Sequence, residues 1–144
     1  MEPAVEPGCS ENLSGPLILV VDDEPFILRY IERVLQLADY RVIPVTTVEE
    51  AWKNFEQRQI DIELVLSDLV MPGSVDGLEL AEKIHQLEPA LPVLFITGAL
   101  SELDSHSAMM CEKHQLLRKP FSPKQLVDFI SARLHRSSPS GVVR

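Results

Sequence analysis

The chain has 144 residues, 45 % of them hydrophobic and 24 % charged, enough apolar side chain for one independently folding domain. A formal net charge of −9 argues against direct binding to nucleic acid or to an anionic membrane surface, since both call for clustered Lys and Arg. Two cysteines, Cys9 and Cys111, are too few for a disulfide framework and point to reduced thiols in a cytoplasmic setting.

Residues 1–16 are rich in Pro, Glu, Ser and Gly and read as a flexible leader or linker without the apolar stretch of a secretory signal. No apolar run reaches membrane-spanning length. The folded part is expected over 17–135, with a loose tail over 136–144. "LILVV" (17–21) is a continuous apolar run of strand length that stops at Asp22-Asp23-Glu24. Phe26, Ile27, Tyr30, Ile31, Val34 and Leu35 then follow the spacing of an amphipathic helix, with Pro25 suited to its first turn. "YRVIPVTT" (40–47) is a second strand, and Pro44, which cannot donate to a ladder, assigns it to a sheet edge. Thr47-x-x-Glu50 is a capping box for a helix burying Val48, Ala51, Trp52 and Phe55.

"IELVLSD" (62–68) is the third strand, followed by a helix carrying Leu78, Ala81, Ile84 and His85. "LPVLFIT" (91–97) is the fourth strand. Ser101-x-x-Asp104 opens a weaker helix to about Lys113, and "QLLRK" (115–119) is the fifth strand. Ser122-Pro123-Lys124-Gln125 supplies N-cap, N1 proline and capping partner for a last helix with Leu126, Phe129, Ile130 and Leu134.

Five strand–helix repeats with apolar strands define an α/β fold: a five-stranded parallel sheet with helices on both faces. Right-handed crossovers and Pro44 at an edge fit the doubly wound, flavodoxin-like order 2-1-3-4-5. In that order the carboxyl ends of strands one, three, four and five are neighbours. They carry Asp22 and Asp23, Asp68, Thr97 and Gly98, and Lys119 and Pro120. Crowded carboxylates repel, and a hard divalent cation such as Mg2+ (Mn2+ as substitute) resolves the repulsion. A Lys and a Thr hydroxyl opposite would hold the anionic group that meets the metal.

"VVDDE" (20–24), "SDLVMPGSVDG" (67–77), "ITGA" (96–99) and "KPF" (119–121), at the ends of successive strands, resemble the receiver domain of two-component response regulators over roughly residues 17–135. The resemblance implies phosphotransfer from the phosphohistidine of a sensor histidine kinase or histidine phosphotransfer protein to Asp68. It implies that Asp23 binds Mg2+ directly and Asp22 mainly through water, with Asp68 and the backbone carbonyl of Val70 completing the protein ligands. It further implies that Lys119 pairs with a phosphoryl oxygen, that Thr97 hydrogen-bonds the phosphoryl group, and that Lys119-Pro120 is a cis peptide. Such a module catalyses its own phosphorylation and is not otherwise an enzyme.

The same residues admit competing readings. Glu24 reads as a helix-start acid and Asp76-Gly77 as loop closure. Cys111-x-x-His114, with His106 nearby, has zinc-like spacing but no second Cys pair. A haloacid-dehalogenase-type phosphatase wants a second acid where Val70 stands, and an FMN module wants a Ser/Thr/Gly-rich loop where Asp22-Asp23-Glu24-Pro25 stands. A receiver used only for docking would not need the acids and the lysine. The chain departs from the family in the length of the loop between Asp68 and Gly77, in Leu116 where an aromatic residue is common, and in the segment before strand five. The long loop looks like that of a receiver in a hybrid sensor kinase, so the chain reads as a stand-alone receiver or a piece of a longer protein. The resemblance further implies that Val70 and Leu100 flank the line of water attack on the phosphoryl group, and hence that phosphate is lost slowly.

Overall fold

The computed structural model describes residues 15–58, 61–69, 77–98 and 116–137. The elements are β1 (Leu17–Val21), α1 (Pro25–Leu37), β2 (Arg41–Val45), α2 (Val48–Arg58), β3 (Ile62–Asp68), α3 (Gly77–Leu87), β4 (Val93–Thr97) and β5 (Leu116–Arg118). The last helix, α4, runs over Pro123–Ser137. All strands pair in parallel in the order β2-β1-β3-β4-β5, as the hydrophobic patterning predicts. The helix expected over 101–113 lies outside the described residues, as do both chain termini.

Each strand's apolar run is explained by burial from two sides. Along β1, Leu17, Leu19 and Val21 face a cluster built with Ala51 and Phe55 of α2 and with Leu80 and Ile84 of α3. Ile18 and Val20 face the opposite cluster, with Ile31 and Leu35 of α1 and Leu126 and Ile130 of α4. Alternate side chains of one strand therefore enter different cores, and no position is left for a polar residue. Pro44 sits exposed on the edge strand β2, where its missing N–H costs no ladder bond.

In β3 the register against β1 jumps from Leu17↔Ile62 to Ile18↔Leu64. The skipped residue, Glu63, is exposed. The extra residue restores alternation: Ile62 and Val65 join one core and Leu64 and Leu66 the other. Glu63 thereby stays out of both cores, and Asp68 shares the parity of Leu64 and Leu66.

Helix α1 differs from expectation. Leu28, Ile31, Val34 and Leu35 are buried, whereas Phe26 is 83 % exposed and Tyr30 lies at the exposed border. Leu28, Ile31 and Leu35 form the i, i+3, i+7 row against the sheet, so Phe26 and Tyr30 fall on a row rotated away from it. Tyr30 packs instead toward Phe121, ring centroids 6.1 Å apart, and its hydroxyl donates to the Phe121 carbonyl at 3.2 Å. The capping box of α4 is complete: Gln125 N–H donates to Ser122 Oγ at 3.1 Å and Ser122 N–H to Gln125 Oε1 at 2.8 Å. That of α2 is displaced. Glu50 N–H donates to Thr47 Oγ1, but the Glu50 carboxylate accepts from Thr46 N–H and not from Thr47.

Helix α1 ends in a Schellman motif, with Asp39 N–H bonded to Gln36 O and Tyr40 N–H to Leu35 O, both at 3.0 Å. Asp39 takes φ 73°, the left-handed region that glycine tolerates best. Asp39→Gly is expected to leave stability equal or slightly raised, and Asp39→Val to lower it by about 1–2 kcal/mol. Denaturant midpoints of the two variants check this; equal effects would show that the αL position is not strained.

Candidate functional site

The carboxyl ends of β1, β3, β4 and β5 open onto one edge and bring together residues far apart in sequence. Asp22 is fully buried, and Asp68 and Thr97 are buried beside it at the ends of β3 and β4. Lys119 follows β5, with its N–H donating to the Thr97 carbonyl at 2.7 Å. The Lys119-Pro120 bond is cis. Strand β4 pairs with β3 through Asp68↔Ile96 and with β5 through Thr97↔Arg118, so Thr97 stands one residue beyond the level of Asp68 and Lys119 one residue beyond that of Thr97.

The Lys119 ammonium stands at the centre. Its Nζ lies 3.0 Å from Glu24 Oε1, 3.3 Å from Asp22 Oδ2 and 3.4 Å from Asp68 Oδ2. Burial alone would make Lys119 easier to deprotonate. The hydrogen bond to Glu24 and the charges of Asp68 and Asp22 outweigh that and hold its pKa well above the usual lysine range. It is a fixed positive charge at any physiological pH.

Asp22 is the strained member. Its Oδ1 accepts the Glu24 backbone N–H at 2.9 Å. Its Oδ2 is buried and, although near Lys119, has no aligned hydrogen-bond partner among the described residues. Burial raises its pKa above the ordinary 3.8, against the lowering effects of the Glu24 N–H and Lys119. Asp22, Glu24 and Asp68 each place a carboxylate oxygen within 4.8 Å of the others. A buried acceptor lacking a donor, beside hard oxygen ligands, is the donor set that a small divalent cation fits.

The expected residues are thus largely brought together: Asp22, Asp68, Thr97 and Lys119 converge. Asp23 is half-buried at the same strand end but outside that cluster, and Glu24, assigned from sequence only to the helix start, is inside it. Val70, Leu100, Asp76, His106, Cys111 and His114 lie outside the described residues. Sequence reasoning also missed the tightness at Gly77, the first residue of α3. A Cβ there would come 2.5 Å from the Asp68 carbonyl oxygen and 3.1 Å from Ser67 Oγ. Glycine lets α3 start directly against the Asp68 backbone.

This fold and site define a receiver, the phosphoacceptor class of module used in two-component signalling. The model of the response regulator receiver domain family matches residues 18–131, and the chain belongs to that family. It is 32 % identical over 120 residues to the Bacillus subtilis alkaline phosphatase synthesis transcriptional regulatory protein PhoP, covering 83 % of this chain and 49 % of that protein. It is 31 % identical over 127 residues to the Pseudomonas aeruginosa phosphate regulon transcriptional regulatory protein PhoB, covering 87 % and 54 %. The chain therefore spans about half the length of these relatives. The solved CheY-like receiver domain protein of Methanospirillum hungatei superimposes with a TM-score of 0.76 at 27 % identity, over 86 % of this chain and 97 % of that one. Among the described residues no helix is long and apolar enough to cross a membrane.

The raised pKa of Asp22 has a consequence for stability. Ionised Asp22 is disfavoured in the folded state, so its stability contribution is fully present below 3.8 and is lost as pH rises through the raised folded value. Asp22→Asn removes the charge and turns an N–H toward the remaining carboxylates. In metal-free buffer at neutral pH it is expected to be more stable than the parent by about 1 kcal/mol, the order of one relieved buried acceptor. The gap should close as pH falls toward 3.8. Denaturant unfolding of both proteins across that range checks it, and a gap that widens in acid would contradict it.

Proposed function

We propose that this receiver takes a phosphoryl group from a phosphohistidine onto Asp68. The observation that carries the reading is the fixed ammonium of Lys119, 3.4 Å from Asp68 Oδ2 at a mid-sheet strand end. Phosphoryl transfer needs alignment and neutralisation of charge on the equatorial oxygens, with little covalent help. An Asp68 carboxylate oxygen attacks phosphorus; the new O–P bond forms as the donor's P–N bond breaks. The imidazole nitrogen leaves with the electron pair and takes up a proton. As a carboxylate nucleophile beside the Lys119 ammonium, Asp68 needs no general base. Lys119 receives a phosphoryl oxygen, and Thr97, buried at the end of the neighbouring strand, offers a hydroxyl to another.

Asp22, Asp23 and Asp68, with the backbone carbonyl of Val70, would hold Mg2+, and Mn2+ suits the same oxygens. When bound, the cation neutralises charge on the transferring group. The chain's own part is to present the carboxylates, to hold Lys119 and Thr97 around the acceptor, and to keep apolar core beneath them. The module occupies residues 17–135, between the leader and the tail. The donor is a sensor histidine kinase or a histidine phosphotransfer protein in the cytoplasm, and a place within a hybrid kinase remains the reading of the long loop before Gly77. The transcriptional output in the names of the two curated relatives belongs to those proteins, of which this chain matches about half.

Incubation with a small phosphodonor and Mg2+ followed by intact-mass measurement tests the reading. The parent is expected to gain one phosphoryl group and Asp68→Asn none, with the fold of the variant unchanged by circular dichroism. A full adduct on Asp68→Asn would move the acceptor elsewhere.

Mg2+ binds the folded site in preference to the unfolded chain, so it should raise the melting temperature of the parent progressively with concentration. The rise should shrink in Asp23→Asn and Asp68→Asn. Melts that do not respond to Mg2+ at any concentration would speak for a site without metal.

A further inference from the structure

Glu24 is the N-cap of α1, a position that favours Ser, Thr, Asp or Asn, and it makes no side-chain capping bond. Its carboxylate turns instead to a residue 95 positions away: Lys119 Nζ donates to Glu24 Oε1 at 3.0 Å. Among the described residues this is the shortest of the ammonium's three ion pairs, ahead of Asp22 at 3.3 Å and Asp68 at 3.4 Å. Glu24 is also the exposed partner, 60 % accessible where the Asp22 side chain is 0 % and that of Asp68 7 %. An ion pair with one exposed member adds little to stability, so helix capping and folding leave the placement of this carboxylate unexplained.

We propose that Glu24 is a positioning residue for the phosphotransfer, an exchangeable counter-ion that holds Lys119 before the reaction and yields it to the incoming phosphoryl group. The inference rests on the reading of Asp68 as phosphoacceptor. An ammonium has three N–H donors, and here three carboxylates surround it. A phosphoryl group arriving at Asp68 brings oxygens that need the same donors. Asp22 cannot withdraw, being buried, and Asp68 is the acceptor itself. Glu24 can rotate into water, where its charge is solvated again. Releasing Lys119 from Glu24 is therefore part of the barrier, and the residue at this position sets the rate at which the module is charged.

The test is the rate of adduct formation with phosphoramidate and Mg2+, followed by intact mass. In this reaction the Asp68 O–P bond forms, the P–N bond breaks, and nitrogen leaves as ammonia with the protons the zwitterionic donor already carries. Parent protein that gains no adduct on Asp68 would remove the phosphoacceptor reading itself. With the parent reactive, Glu24→Gln is expected to react roughly fivefold faster, the effect of one unit charge a few ångströms away at a solvated site. Glu24→Thr, which restores a capping hydroxyl and secures the start of α1, should accelerate likewise. In a Lys119→Met background the same substitutions should change the rate hardly at all, because the effect acts through the ammonium. Unchanged or slower reaction of both Glu24 variants, or equal acceleration with and without Lys119, would overturn the inference.

Discussion

One ammonium among three acids, two of them buried, is the interaction on which the site depends. Lys119 meets Asp22, Glu24 and Asp68 within 3.0–3.4 Å, and these come from the ends of two strands that touch only because β1 and β3 are neighbours. Without the ammonium, buried carboxylates would face each other uncompensated, a cost that folding would avoid by protonating or exposing them. With it the cluster is still short of positive charge, and the buried Asp22 Oδ2 lacks an aligned donor. That residual deficit is what a small divalent cation could offset.

The sheet bears this cost because the core beneath the site is almost wholly apolar, with the buried Ser67 hydroxyl satisfied by the Asp68 carbonyl. Both faces of β1, β3 and β4 are filled, from Leu19 and Phe95 on one side and Ile18 and Ile96 on the other. Only at the strand ends does the backbone leave the layered core, so acids placed there can be desolvated on one side and open on the other. The skipped residue Glu63 keeps β3 in phase through its length and brings Asp68 to the level of Ile96. Gly77 lets α3 begin directly above Ser67 and Asp68, where any side chain would push the helix away. Asp68 is thus fixed from below by strand register and from the side by close backbone approach.

Helix α1 shows how a surface feature and the site share one element. Its inner row of Leu28, Ile31 and Leu35 anchors it to the sheet, and its N-cap residue Glu24 reaches Lys119. The row rotated outward carries Phe26 and Tyr30, and Tyr30 joins the helix to Phe121 in the segment that follows Lys119. The two segments bordering the carboxylate cluster are therefore tied to each other by both an ion pair and an aromatic contact.

The sequence by itself determined the strand–helix alternation, the parallel order with β2 at the edge, and the gathering of Asp22, Asp68, Thr97 and Lys119 at one sheet edge. Those follow from local rules: continuous apolar runs mean two-sided burial, Pro44 means an edge, and the carboxyl ends of parallel strands converge. Tertiary structure decided what depends on rotation and distance between elements. The spacing of Phe26, Ile27 and Tyr30 suggests an inner face for α1 that omits Leu28, because Phe26, Ile27 and Leu28 are all apolar, and only packing against the sheet selected Leu28. Glu24 looked like a helix-start acid because charge near an N-terminus is favourable in any helix. Its pairing with Lys119 arises from a lysine 95 residues away, brought within 3.0 Å by the strand order. The register skip at Glu63 and the closeness of Gly77 to Asp68 were likewise settled only in three dimensions, because each is a relation between two backbones and no single segment encodes it.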